Sequence, residues 1–171
     1  MTSLLAFSVV VFMVAFAGSR FKPGPWHAAL KKPSWNPPNW VFAPVWTVLY
    51  ICMAVAGSLT WRAVGQGWST PLAFWMLQLV ANGLWTWIFF GRHRIDLALA
   101  DIGATWIFIV GFIVTAWARE PIAAMLFLPY AAWVTFAAAL NASIWAMNRS
   151  SPARAIPAAR ARPRRFAPPP I

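Results

Sequence analysis

The sequence predicts an all-α membrane protein, a bundle of five transmembrane helices with a proline- and tryptophan-rich first loop as a lid. Of its 171 residues, 61% are hydrophobic and only 10% are charged. The charged share of a soluble domain is nearer one quarter, so the composition excludes an ordinary soluble protein. The apolar residues also fall into separate runs, each of about the length that crosses a bilayer as a helix.

Residues 1–148 form one predicted transmembrane domain. The first apolar run ends near Ala15, where the sequence resembles a signal-peptide cleavage site, but no basic residue precedes the run. A signal peptide normally begins with basic residues, so we interpret this run as a retained span. The five predicted spans cover residues 4–19, 41–61, 71–90, 95–117 and 122–147.

The loop over residues 20–39, called the lid loop below, connects the first two spans. It contains five prolines and the tryptophans Trp26 and Trp35. Proline fixes its own φ and favours extended geometry in the preceding residue, so residues 34–39 should form a stiff, non-helical strap. Loops of this length inside a compact domain are more often functional than not, which makes this one a candidate lid over a site.

The later spans have recognisable boundaries. Pro44 lies in the first turns of the second span and Pro71 opens the third, both positions at which a helix tolerates proline. Residues 91–94 separate the third span from the fourth. Residues 149–171 contain six arginines and no acid, a composition that builds no packed core, so we predict a disordered basic tail.

The formal net charge is +11, and its placement favours membrane topology over nucleic-acid binding. With five spans, twelve basic residues fall on the side of the lid loop, the 91–94 loop and the tail, against two on the other side. The positive-inside rule therefore predicts a cytoplasmic C-terminus and an outside N-terminus. The cell membrane of a bacterium is the favoured location.

Polar and aromatic side chains recur on single faces of three spans. Residues four or three apart on a helix share a face, and amides on such a face avoid lipid, so these faces should look into the protein. The residues are Trp46 and Tyr50 on the second span, Gln78, Asn82, Trp85 and Phe89 on the third, and Tyr130, Trp133, Ala137 and Asn141 on the fifth.

These faces predict either interhelical hydrogen bonding or a ligand pocket. A pocket would combine flat indole rings with a few polar groups, and lysines of the lid loop would meet acidic groups at the water surface. A tetrapyrrole has that shape and charge. The predicted ligand-binding residues are Trp35, Pro37, Pro38, Trp40, Trp46, Tyr50, Gln78, Asn82, Trp85, Phe89, Tyr130, Trp133 and Ala137.

The inventory of catalytic groups is small. The acidic residues are Asp96, Asp101 and Glu120, on different elements, and no phosphate-binding glycine loop or metal-ligand cluster is visible. Asp101 lies inside an apolar run, where it is expected to pair with Arg92 or Arg94, with a ligand role as the alternative. His27 and His93 are interpreted as solvated loop residues, with haem ligation as the alternative.

Three motifs then resemble the tryptophan-rich sensory protein and translocator protein family, the relatives of the peripheral-type benzodiazepine receptor. They are PSWNPPNWVFAPVWTVLY, QLVANGLWTWIFFG and LPYAAWVTFAAALN, in matching order and spacing. The resemblance implies a homodimer of five-helix subunits that binds porphyrins and benzodiazepine- or isoquinoline-type ligands under the first loop. It places the family's pocket residues on Trp46, Asn82 and Trp133 and its lid motif on residues 35–38.

Three functions are compatible with these residues. The leading hypothesis is a receptor or sensor that binds protoporphyrin IX or haem as a ligand and needs no cofactor. The alternatives are light-dependent porphyrin breakdown, for which Trp46 and Trp133 would be the catalytic residues, and porphyrin transport, disfavoured by the odd number of spans and the few acidic residues.

Two further expectations concern lipids and location. Between Leu140 and Arg149 the last span lacks the tyrosine of the proposed sterol motif, so specific cholesterol binding is not expected. Some bacterial relatives are assigned to the outer membrane, which is the alternative location.

Overall fold

The chain folds as a helical bundle, which confirms the predicted fold class. A computed structural model describes residues 2–149, so the predicted disordered tail lies outside the described residues, apart from Arg149. The helices within that range are α1 (Thr2–Gly18), α2 (Pro25–Ala29), α3 (Phe42–Ala63), α4 (Thr70–Thr86), α5 (Ile95–Trp117), α6 (Pro121–Leu126) and α7 (Leu128–Asn148).

Four helical segments are long and apolar enough to cross a membrane, and α1 is a shorter apolar helix. The four are residues 39–63, 70–91, 95–117 and 121–148. Single 3₁₀ and π turns extend two of them, at Asn39–Val41 before α3 and at Trp87–Gly91 after α4. The segments pack as a closed ring, in which α1 contacts α3 and α4, α4 contacts α5, α5 contacts α7, and α6 returns to α3.

The fifth span differs from the single helix expected over residues 122–147, because it is divided at Phe127 into α6 and α7. Pro129 lies in the first turn of α7, and proline has no N–H to bond the carbonyl four residues before it. The N–H of Phe127 instead bonds the Ala124 carbonyl at 3.1 Å, which tightens the end of α6.

The core lies where the helices approach closely, and its largest buried side chains include Trp75, Phe112 and Phe127. Helices α4 and α5 approach at Gly111, where an added Cβ would lie 2.6 Å from the Phe74 ring. Only glycine fits there without movement of that ring. Large apolar side chains on the outer surface complete the pattern of a lipid-facing bundle; they include Val48, Ile51, Ile107, Val114 and Ile122.

Candidate ligand site beneath the lid loop

A hydrogen-bonded layer of three side chains connects three helices below the lid loop. The Tyr50 hydroxyl of α3 donates to Asn82 Oδ1 of α4 at 3.4 Å. Asn82 Nδ2 then donates to the Tyr130 hydroxyl of α7 at 3.2 Å. Asn82 and Tyr130 are buried, so these bonds satisfy polar groups that lipid could not satisfy.

The indole of Trp46 lies one helical turn from Tyr50 and packs on this layer. Its ring centroid is 5.3 Å from that of Tyr50 and 6.2 Å from that of Tyr130. Both distances lie in the range that aromatic pairs prefer. The predicted inward face of the second span is therefore confirmed, and it meets the inward face of the fifth.

Trp133 continues the aromatic surface toward the lid loop. Its ring lies 5.7 Å from Phe42 at the start of α3 and 5.5 Å from Phe136 on its own helix. Phe136 in turn lies 5.7 Å from Trp35 of the lid loop. Trp133, which packs against the buried core, is thus linked through Phe136 to Trp35 of the lid loop.

Two polar atoms on the α4 face have no hydrogen-bond partner in the described part of the chain. They are Oε1 of Gln78 and Nε1 of Trp85, both buried. The Gln78 amide nitrogen is used within its own helix, where it donates to the Trp75 carbonyl at 2.9 Å. An unpaired buried polar atom costs about 1–3 kcal/mol, so a hydrogen-bond partner for either atom would be stabilising.

The lid loop docks on the same α4 face through aromatic contacts. Phe89 is buried and stacks on Trp85 at a centroid distance of 5.0 Å. Trp26 of α2 packs edge-on against Phe89 at 5.8 Å, and His27 packs against Phe90 at 5.4 Å. Burial among these rings, and then the nearby charge of Lys32, lowers the pKa of His27 below its ordinary value of 6.5.

A second attachment holds the lid loop to the end of α7. The side-chain amide of Asn148 accepts from the Lys31 N–H at 3.1 Å and donates to the Lys31 carbonyl at 2.9 Å. Within the lid loop, Lys32 Nζ donates to the His27 carbonyl at 2.7 Å, which connects the end of α2 to the following segment. The two bonds between Asn148 and Lys31 are exposed, so they can break without exposing buried polar groups.

Most of the predicted ligand residues lie together, and a few lie apart. Eight of them are buried or half-buried on the inward faces of α3, of α7, and of α4 with the π turn that follows it: Trp46, Tyr50, Gln78, Asn82, Trp85, Phe89, Tyr130 and Trp133. The half-buried Ala137 follows Trp133 on α7. The lid residues are more peripheral: Pro37 is half-buried, Pro38 is exposed, Trp35 is 47% exposed, and Trp40 is 73% exposed.

The expected ion pair of Asp101 is wrong. Arg94 instead pairs with Asp96, which is two residues away, through Nη2 and Oδ2 at 2.7 Å. Arg92 lies over the Trp87 ring at 5.4 Å. Asp101 keeps a buried Oδ2 without a hydrogen-bond partner in the described residues, and Thr105 Oγ1 donates to its backbone carbonyl at 3.0 Å.

Phe42, Trp26 and Asn148 belong to this region but were missed as site residues. Phe42 shares the four-residue spacing of Trp46 and Tyr50, so its position was readable from the same periodicity. The contact of Asn148 with Lys31 joins residues far apart in sequence, and no local pattern indicates it.

Residues 5–146 match the model of the TspO/MBR family. The chain belongs to the TspO/MBR family. Protein CrtK of Rhodobacter capsulatus is 39% identical over 154 residues, covering 85% of this chain and 94% of that protein. The tryptophan-rich sensory protein of Cereibacter sphaeroides is 38% identical over 138 residues, covering 81% of this chain and 86% of that protein. The human translocator protein is 37% identical over 155 residues, covering 84% of this chain and 89% of that protein.

The matched range of this TspO/MBR protein includes Trp46 of α3, its contact Tyr130 of α7, and Trp133. It ends two residues before Asn148, so the match does not include that attachment of the lid loop. The resemblance stated from the three motifs is confirmed at the level of the family.

Proposed function

We propose that this TspO/MBR protein is a membrane receptor or sensor that binds porphyrins in a pocket formed by α3, α4 and α7 beneath the lid loop. The observation that carries the proposal is the layer of Tyr50, Asn82 and Tyr130 under the Trp46 ring. It brings polar groups and a flat stacking surface from three helices to one place.

The unpaired atoms on α4 support a polar edge for the ligand. Nε1 of Trp85 can donate a hydrogen bond, and Oε1 of Gln78 can accept one. The nitrogens of a tetrapyrrole point into the ring centre, so it is the polar substituents on the ring periphery that would meet this donor and acceptor. Apolar shape alone gives little preference over lipid, which makes such polar atoms the source of selectivity.

The lid loop supplies positive charge at the water surface. Lys31 is exposed, while Lys32 is half-buried and bonded to the His27 carbonyl. Propionate groups at one edge of a porphyrin would meet these ammonium groups while the ring lies among the indoles. The charge thus favours porphyrins with free carboxylates over their esters.

Entry of a large ring requires the side chains of the cluster to separate, since they contact one another in this structure. The surface bonds between Asn148 and Lys31 are the ones to open first, because water replaces them at little cost. Binding then exchanges the contacts of Trp46 and Trp133 with their neighbours for contacts with the ligand ring.

Quenching of tryptophan fluorescence by protoporphyrin IX tests the site. The double variant Trp46→Ala and Trp133→Ala is expected to bind at least tenfold more weakly than the unmodified protein, since two stacking surfaces are lost. The matched control replaces Trp117 and Trp145, two exposed tryptophans, by Ala and should keep the affinity. Equal affinity in both double variants would refute the site.

Light-dependent porphyrin breakdown is the second candidate, favoured by the ring contacts of Trp46 with Tyr50 and Tyr130. An excited porphyrin can take one electron from an indole that touches it, and dioxygen then accepts that electron. Illumination of the purified protein with protoporphyrin IX should give products that a Trp46→Phe variant does not give. Ordinary bleaching in both proteins would eliminate this activity.

The basic residues support an orientation with the lid loop and the C-terminus in the cytoplasm and the N-terminus outside. Because this distribution of basic residues is typical of proteins of the cell membrane, we infer that the protein lies in the bacterial cell membrane. The homodimer implied by the resemblance stays a prediction, which crosslinking in native membranes would test.

A further inference from the structure

The end of the bundle opposite the lid loop contains a half-open cavity between α1, α3 and α4, in two adjoining parts that share lining residues. Its inner part has a volume of about 160 Å³ and an almost wholly apolar surface. The inner part is lined by Ala6, Phe7, Val10, Trp61, Trp68, Leu72, Trp75 and Met76. Cavities of this size and character are large enough to hold small apolar groups.

The outer part of the cavity has a different chemistry. Its volume is about 470 Å³, and it shares Ala6, Phe7 and Trp61 with the inner part. The residues that it adds are polar or charged: Thr2, Ser3, Arg62 and Gln66. An apolar slot therefore continues into a polar mouth that contains one arginine.

The walls of the inner slot are fixed by close packing. The Phe7 and Trp75 rings meet edge to face at 4.8 Å, and Trp75 Nε1 donates to the Met53 carbonyl at 2.9 Å. An added Cβ on Gly57 would lie 2.5 Å from the Phe7 ring, so glycine is what allows α1 to approach α3 here. Phe7 and Trp75 thus have little freedom to move into the slot.

The mouth is shaped by the turn that ends α3. Gly65 and Gln66 both have positive φ, at 77° and 61°, and the Gln66 N–H bonds the Trp61 carbonyl at 2.9 Å. With the bond of the Gly65 N–H to the Arg62 carbonyl at 3.3 Å, this is the Schellman pattern in which a glycine ends a helix. The turn holds Gln66 beside Arg62 at the edge of the cavity.

Arg62 brings a positive charge that no carboxylate of the described residues neutralises. The ion pair that residues 2–149 contain joins Arg94 and Asp96, on the side of the lid loop. Nε of Arg62 donates to the Ser58 carbonyl at 3.4 Å, which leaves the other guanidinium nitrogens for a ligand. A guanidinium group binds a carboxylate well because two parallel hydrogen bonds can form.

We propose that this cavity binds a single-chain carboxylate amphiphile, a free fatty acid, with its carboxylate at Arg62 and its chain in the slot beside Phe7, Leu72 and Met76. A slot of about 160 Å³ suits part of one acyl chain rather than two. An uncharged chain gains little by leaving the lipid, so the bond to Arg62 supplies the preference. This inference is independent of the porphyrin proposal, since it concerns the opposite end of the bundle.

Photocrosslinking to a diazirine-bearing palmitic acid tests the proposal, with the full chain in phosphatidylcholine nanodiscs. The crosslinks, mapped by mass spectrometry, should concentrate on residues 6–10 and 72–76, and unlabelled palmitate should compete for them. Arg62→Gln is expected to reduce labelling about tenfold at a limiting probe concentration. The matched control Arg119→Gln removes an exposed arginine on the same side that does not line the cavity, and it should label normally.

A second pair of variants separates the shape of the slot from its charge. Ala6→Leu narrows the slot where its two parts meet and should abolish labelling, whereas Ala100→Leu places the same side chain on an exposed site of α5 and should not. Crosslinks spread evenly over the lipid-facing helices, equal labelling of Arg62→Gln, or equal competition by hexadecanol would overturn the proposal. Stronger competition by the two-chain lipid phosphatidylglycerol would overturn it in favour of a phospholipid site.

Discussion

The two ends of the bundle differ in how they treat polar groups. Beneath the lid loop, Asn82 bonds Tyr50 and Tyr130 across three helices, and the Trp46 ring packs on the two tyrosines. At the opposite end, the slot beside Phe7 is apolar and carries its one charge, Arg62, at the mouth.

On the two proposals above, the ends of this bundle would select their ligands in different ways. The lid end offers buried donors and acceptors, so a ligand there must replace specific hydrogen bonds and separate aromatic contacts. The opposite end offers a preformed space and a surface charge, so a ligand there needs an apolar chain and an acidic head. Binding at the lid end should therefore depend more strongly on individual buried polar atoms than binding at the opposite end.

The largest effect is expected for Asn82→Ala. The change removes both bonds of the layer and leaves the Tyr50 and Tyr130 hydroxyls without their partner, so the free energy of unfolding should fall by about 1–3 kcal/mol. Affinity for protoporphyrin IX should fall as well. Thermal unfolding in detergent measures the first effect and fluorescence quenching the second.

Asn39→Ala is the matched control, since Asn39 is an exposed amide at the start of the second span. It should leave stability and binding unchanged. If the Asn82→Ala variant had the same stability and porphyrin affinity as this control, the layer would contribute neither to stability nor to binding.

An intermediate effect is expected for Asn148→Ala, which removes the attachment between α7 and Lys31. Surface hydrogen bonds contribute about 0.5–1.5 kcal/mol, so the lid loop should open more often and porphyrin should dissociate several times faster. Stopped-flow dissociation measures the rate. Asn36→Ala changes an amide that bonds only the adjacent Pro37 carbonyl, and unchanged dissociation is expected there.

The smallest effect is expected from pH. Because the folded protein lowers the pKa of His27 below 6.5, docking of the neutral imidazole stabilises the lid above that ordinary value. This stabilisation is lost as the pH falls through the lowered pKa. Porphyrin dissociation should therefore accelerate modestly from pH 7.5 to pH 5.5, as measured by the same stopped-flow experiment.

The variant His27→Phe keeps a ring against Phe90 but cannot gain a proton, so its dissociation rate should be insensitive to this change of pH. His93→Asn tests the neighbouring histidine, whose positive φ of 55° asparagine tolerates. The His93→Asn variant should still release porphyrin faster at pH 5.5 than at pH 7.5. A response that follows His93 and not His27 would contradict the assignment.

Sequence periodicity was sufficient to predict the inward faces of the second, third and fifth spans, because residues such as Gln78 and Asn82 are costly against lipid. It did not predict the partner of each polar group. The hydrogen bond of Asn82 to Tyr130 depends on how two helices far apart in sequence are placed, and so does the bond of Asn148 to Lys31.

Asp101 shows where a simple charge argument fails. Arg94 lies within reach of Asp101 by sequence, yet Asp96, in the first turn of α5, is only two residues from Arg94 and offers both carboxylate oxygens to the same guanidinium. The local, exposed pair forms because it costs no burial of either charge. The cavity beside Phe7 likewise has no sequence signature, since it depends on the approach of α1 to Gly57.

A structure of the protein with zinc protoporphyrin, in which the anomalous signal of zinc locates the ring, would decide whether porphyrin binds beneath the lid loop. We expect the metal between α3 and α7, with the ring in contact with Trp46 and Trp133 and its propionate edge toward Lys31 and Lys32. A zinc position on the outer, lipid-facing surface, with the bonds between Tyr50, Asn82 and Tyr130 undisturbed, would contradict it.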